Sequence, residues 1–131
     1  MEQLSHAFAS FSVRDATRAQ DFYKNILGLK TELFPMGESH LLNIEIGGEK
    51  FMLYEKKDHT PASFTVMNFE IPDIEAAVKE LSSKGIKFER YAETDELGIT
   101  RNDGPLIAWF KDPDGNFISL IQNEVAPPSP S

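Results

Sequence analysis

Residues 8–28, FASFSVRDATRAQDFYKNILG, and residues 64–85, FTVMNFEIPDIEAAVKELSSKG, carry the same plan twice. Each opens on a β-rich run, Phe8 to Val13 or Phe64 to Ile71, that leads into a capping aspartate. From Asp15 the apolar residues Ala19, Phe22, Tyr23, Ile26 and Leu27 recur at helical spacing until Gly28 offers a left-handed stop. From Asp73 the stripe is Ile74, Ala77, Val78 and Leu81, and Gly85 is the stop. The two caps stand 58 positions apart, since 73 − 15 = 58.

Short β-rich segments follow each helix. They are Leu29 to Phe34, Leu41 to Ile46 and Phe51 to Tyr54 in the first half, and Ile86 to Tyr91, Leu106 to Phe110 and Phe117 to Ile121 in the second. Gly47-Gly48 and Asp112-Pro113-Asp114-Gly115 supply tight turns before the last segment of each half. The fold class is therefore α+β: two tandem βαβββ modules forming curved mixed sheets around a concave pocket. The expected bounds are about 5–56 for module one and about 62–123 for module two, within one domain over 1–125. A polar hinge, Glu55 to Ser63, joins the modules, and 126–131 (APPSPS) reads as a flexible tail without large apolar side chains.

At 131 residues with 40% hydrophobic and 26% charged, the chain suits one compact domain and excludes wholesale disorder. Thirteen basic against 21 acidic residues leave −8, a field that repels phosphates and anionic lipid, so nucleic acid and membrane are not expected partners. Zero cysteines exclude disulfides, thiolate nucleophiles and thiolate-bound metal. Met1 to Val13 has neither the basic flank nor the apolar run of a signal peptide, so a soluble cytoplasmic protein is expected.

The stretches VRDATRAQDFYKNILGLK, IPDIEAAVKELSSKGIKF and WFKDPDGNFISL together resemble the vicinal oxygen chelate superfamily of glyoxalases, extradiol dioxygenases and bleomycin-resistance proteins, over about Ala7 to Gln122. In its metal-dependent members, histidines open the first strand of each module and a glutamate follows the DPDGN turn. Those positions fall here on Phe8, Val66 and Ser119, none a usual divalent-metal ligand, and Met52 matches Ser119 in the other module. The resemblance thus implies the scaffold without its metal set. It also implies a homodimer.

His6 is the weak candidate for a displaced metal ligand, two residues and roughly 6.6 Å of strand before Phe8. His40 lies on the apolar side of its segment with Leu42, Ile44 and Ile46 and reads as a hydrogen-bonded sheet residue, whereas His59 reads as a surface residue of the hinge. Strand alternation sends Phe8, Ser10, Ser12, Met52 and Tyr54 of module one to the concave face. From module two it sends Val66, Asn68, Glu70, Ser119 and Ile121 there, with Trp109 as a further wall.

This composition is that of a ligand-binding pocket, in which Tyr54, Asn68 and Glu70 would orient a partly apolar molecule. Glu70 is the weak catalytic candidate, because burial in an apolar cavity would suit it to acid–base work; a strand-end carboxylate in solvent is the alternative. Ser10, Ser12 and Ser119 read as small pocket linings, no histidine being in evidence as their base. The acidic run Glu89 to Glu96, with Arg101 and Asp103 after it, reads as a solvated face that could attract cations at a pocket mouth. The expected function is metal-free binding of a small, partly apolar or cationic molecule, with no cofactor. The alternative is a metal-dependent lyase, isomerase or dioxygenase holding one divalent ion through displaced ligands.

Overall fold

The structure is a computed structural model that describes residues 1–101 and 104–123. Asp103 and the expected tail lie outside the described residues. The chain divides into two compact units, one of Met1–Pro61 and one beginning at Ala62.

In the first unit β1 (Ala9–Val13) leads into α1 (Ala16–Gln20), and β2 (Lys30–Met36), β3 (Ser39–Ile46) and β4 (Glu49–Glu55) follow. The sheet order is β1-β4-β3-β2, with β1 parallel to β4 and the other pairs antiparallel. Asp15 caps α1 by accepting from the amides of Thr17 and Arg18 at 3.0 and 3.1 Å. Beyond Gln20 the helix widens into a π-helical stretch, Asp21–Ile26, in which the Leu27 amide reaches back five residues to the Phe22 carbonyl at 3.1 Å. Consecutive aromatics are both buried there, Phe22 and Tyr23 meeting edge to face at 5.1 Å. Gly28 closes the helix at φ +73°, a conformation a side chain would strain. The helix covers one sheet face, where Phe11, Val13, Leu42, Ile44 and Leu53 are buried.

The second unit repeats the plan with β5 (Thr65–Glu70), α2 (Ile74–Ser83), β6 (Ile99–Thr100), β7 (Leu106–Lys111) and β8 (Phe117–Gln122), in the sheet order β5-β8-β7-β6. Asp73 caps α2 through the Ala76 amide, and Ile74, Val78 and Leu81 are its buried stripe. Two four-stranded mixed sheets with one helical segment each make the α+β fold of tandem modules.

One expected strand does not form. In 86–91 the side chains of Ile86 and Phe88 alternate inward, yet only the Glu89 amide bonds β7, at the Trp109 carbonyl, 2.8 Å. The fourth sheet position is held instead by Ile99–Thr100, paired with Ala108 and Ile107. Alternation fixed which side chains bury, whereas the ladder depends on partners supplied from elsewhere in the chain.

The modules share a lock that sequence pattern does not reveal. The last residue of β4, Glu55, accepts the amide of Ala16, the first residue of α1, at Oε2, 2.9 Å. The last residue of β8, Gln122, accepts the amide of Ile74, the first residue of α2, at Oε1, 2.8 Å. Each final strand thereby satisfies one of the amides that a helix start leaves without an intrahelical partner.

Candidate functional site

Each sheet has one face without a helix, and the candidate side chains sort onto those faces by register. In module one Ser10 pairs with Met52 and Ser12 with Tyr54, and β3 continues the two rows with Asn43 and Leu41. Ser10, Ser12, Met52 and Tyr54 therefore share the open face, as alternation predicts. Phe8 precedes β1 and is exposed, so it extends that row without being paired.

His59 departs from expectation. It is buried, at 5% relative exposure, and its Nδ1 lies 2.6 Å from Ser12 Oγ. The hinge is not a surface strand here, because parallel pairing sets Glu55 beside Val13 and the Lys56 amide bonds the Val13 carbonyl at 3.0 Å. A turn then closes, with the His59 amide on the Lys56 carbonyl at 3.0 Å, and Arg14 Nη2 holds the His59 carbonyl at 3.3 Å. Ser12 thus has the neighbouring histidine that sequence spacing did not show. His40 is a sheet residue, as expected, with its amide 2.7 Å and its Nδ1 3.4 Å from Glu55 Oε1.

In module two the open face carries Ser119 between Asn68 on β5 and Trp109 on β7. Ser119 is fully buried and its Oγ donates to Asn68 Oδ1. Trp109 lies on this face by its pairing with Ser119, and its indole Nε1–H donates to Thr65 Oγ1 at 3.2 Å. Val66 does not join the row: the ladder shifts between Thr65 and Met67, and Val66 is the extra residue of a bulge while Thr65 pairs with Phe117. Glu70 is exposed, so the burial that an acid–base role required is not there.

A shallow hollow on this face has a volume of about 280 Å³ and is lined by Ser63, Phe64, Thr65, Tyr91, Trp109 and Phe117. Tyr91 meets Trp109 edge to face at 5.7 Å. Desolvation, and then the charge of Glu89, pushes the Tyr91 phenol above its ordinary value. Lys111 Nζ sits 5.1 Å over the Phe117 ring and 3.7 Å from Glu89. Of this wall sequence reasoning named Trp109 alone. Tyr91 stood at the end of an expected strand, while Phe117 lies two residues before Ser119, so the alternation that placed Ser119 is the signal that would have found it.

The acidic run is partly neutralised. Asp95 and Glu75 both pair with the Arg101 side chain, and Asp95 also accepts from the amides of Leu97 and Ile99 at 2.9 Å. Desolvation would raise the Asp95 carboxyl, but the Arg101 bond and the two amides together hold it below the usual aspartate value. The DPDGN segment is spent on its own turn: Asp112 Oδ1 accepts the amides of Asp114 and Asn116, both at 2.9 Å, and Oδ2 accepts from Asn116 Nδ2 at 3.0 Å.

The family model for the Glyoxalase/Bleomycin resistance protein/Dioxygenase superfamily matches residues 3–120. The chain belongs to that superfamily. Among solved structures, a genomically encoded fosfomycin resistance protein, FosX, from Listeria monocytogenes superposes with a TM-score of 0.72 at 14% identity, covering 93% of both chains. TnmS3, an antibiotic binding protein from Streptomyces sp. CB03234, gives 0.69 at 24% identity, covering 92% of this chain and 97% of its own. A glyoxalase family protein from Enterococcus faecalis gives 0.69 at 18%, covering 92% and 99%. No curated protein matches the sequence.

Phe8 and Val66 carry no donor atom, and the Ser119 hydroxyl is committed to Asn68. His6 is exposed and lies before β1, outside any strand. Among the described residues no group of three or more His, Asp or Glu could hold a metal ion. The donor set does not fit a divalent cation, which needs about three protein ligands. Among the described residues no helix is long and apolar enough to cross a membrane.

Proposed function

We propose that this glyoxalase-superfamily chain binds a small, partly apolar molecule without a metal or other cofactor, and that the aromatic hollow of module two takes its flat portion. The observation that supports this reading is the hollow itself. Phe64 is 68% and Tyr91 48% exposed, and both stand beside a tryptophan whose ring is fixed by Thr65. Exposed aromatics around a volume near 280 Å³ suit one or two fused rings, held by stacking and desolvation. The antibiotic-binding relative lends the binding reading a precedent on the same scaffold. The net charge of −8 favours neutral or cationic ligands over anionic ones. Cytoplasmic residence and a homodimer belong to the same proposal. Among the described residues no group of three or more donors supports the metal-dependent alternative.

Trp109 is the sole tryptophan, so its emission reports on this site alone. Titrating neutral, cationic and anionic planar aromatic compounds should give a saturable change in Trp109 emission, with the anionic series weakest. Tyr91→Ala should weaken binding by about two- to tenfold, the worth of one aromatic contact at roughly 0.5–1.5 kcal/mol. Calorimetry gives the same affinity without relying on the fluorophore. A flat titration for all three classes, or an unchanged affinity in Tyr91→Ala, refutes the proposal.

A further inference from the structure

The Ser12–His59 contact belongs to module one, plays no part in the hollow of module two, and is not explained by packing alone. Two polar side chains 47 positions apart in sequence meet at 2.6 Å, one of them a histidine at 5% exposure. Two backbone bonds, Lys56 to Val13 and His59 to Lys56, and the Arg14 guanidinium on the His59 carbonyl hold the histidine in place. The serine is on the rigid strand β1, and only half-buried. Phe11 and Val13 on either side of it are buried toward the helix, which turns Ser12 to the open face of the sheet, in register with Tyr54. A hydroxyl backed by an imidazole within hydrogen-bond reach is the arrangement that activates a serine.

We propose that Ser12 and His59 form a nucleophile and base that take the acyl group of an activated carboxylic ester. With the imidazole proton on Nε2, Ser12 O–H donates to Nδ1. As Oγ bonds the acyl carbon, its proton passes to Nδ1. The bond from the acyl carbon to the leaving oxygen breaks, and His59 returns the proton to that oxygen, releasing an alcohol. Water then attacks the Ser12 ester and gives its proton to His59; the acid leaves, and Ser12 is restored. Atoms and charge balance with the ester and water as the only reactants. Arg14 acts here as a positioning residue, through the His59 carbonyl.

The probe is p-nitrophenyl acetate, with nitrophenolate release followed by absorbance and the acylated residue located by peptide mass mapping after an acid quench. One acetyl group is expected on Ser12. Release should fall by about a hundredfold or more in Ser12→Ala and in His59→Gln, the usual range for a positioned acid–base group. Because His59 is buried its replacement could unfold the module, so Ser12→Ala, a small change on the open face, carries the test; a far-ultraviolet circular dichroism spectrum and melt confirm its fold. Hydroxylamine should remove the acetyl group from Ser12. Acetyl found only on lysines or the amino terminus, or release unchanged in folded Ser12→Ala, overturns the proposal. Neither result bears on Trp109 emission, so this proposal and the binding reading fail separately.

Discussion

Replacing Glu55 by alanine tests the lock that joins the last strand of module one to its helix. Glu55 Oε2 accepts the Ala16 amide at 2.9 Å and Oε1 the His40 amide at 2.7 Å. Hydrogen bonds to a charged group contribute roughly 1.5–3 kcal/mol each, so two set an upper range of about 3–6 kcal/mol. The Glu55 side chain keeps 18% exposure, so water partly replaces the lost acceptor and about 3 kcal/mol is the expected loss. Glu55→Gln should cost less, about 1.5 kcal/mol, since one carboxamide oxygen serves only one of the two amides. Gln122 shows that a neutral carboxamide suffices at the helix start, and Gln122→Ala, losing one neutral bond, should cost about 1 kcal/mol. The assay is urea unfolding of all three variants by circular dichroism, with amide exchange at Ala16 and His40 as the local reading. Exchange at both amides should quicken in Glu55→Ala and at one of them in Glu55→Gln. A Glu55→Ala protein within about 0.5 kcal/mol of the wild type, or a glutamine variant as damaged as the alanine one, would show that these two bonds do not carry the stability assigned to them.

Acid should weaken module two through Asp95: its carboxyl is lowered in the fold, so its contribution is present above the unfolded aspartate value and is lost as pH falls through the folded one. Arg101→Ala should remove most of that acid dependence, seen as a flatter plot of melting temperature against pH. Tyr91 should ionise above the ordinary phenol range, and Glu89→Gln should bring it down; ultraviolet absorbance titration of single Tyr→Phe variants assigns the step. Because a raised phenol favours the neutral form, the Tyr91 contribution to stability is full below the unfolded value and is lost as pH climbs through the folded one. Gly28→Ala should cost about 1 kcal/mol from backbone strain alone, as nothing lies within 4 Å of an added methyl. Gly98→Ala should cost more, since its methyl would also meet Phe88 Cβ at 3.0 Å; urea midpoints compare the two.

The duplicated scaffold is written in local signals. Capping aspartates, helical stripes and terminal glycines act within a few residues of one another, so Asp15 with Gly28 and Asp73 with Gly85 declare two helices without help from the rest of the chain. Period-two alternation likewise assigned Ser10, Ser12, Met52, Tyr54 and Asn68 to open faces before any register was known. Contacts made by pairing distant segments came only with the folded chain. The bulge that took Val66 out of its row depends on where β5 meets β8. The fourth strand of module two went to Ile99–Thr100 because the long Ile86–Tyr91 segment makes one backbone bond to β7 where a ladder needs several. His59 left its expected surface place for Ser12, because β1 and β4 run parallel and the turn after Glu55 folds back on Val13. A side chain's face follows from its neighbours in sequence, while its partner follows from chain segments that loop closure brings together, and no local pattern records that choice.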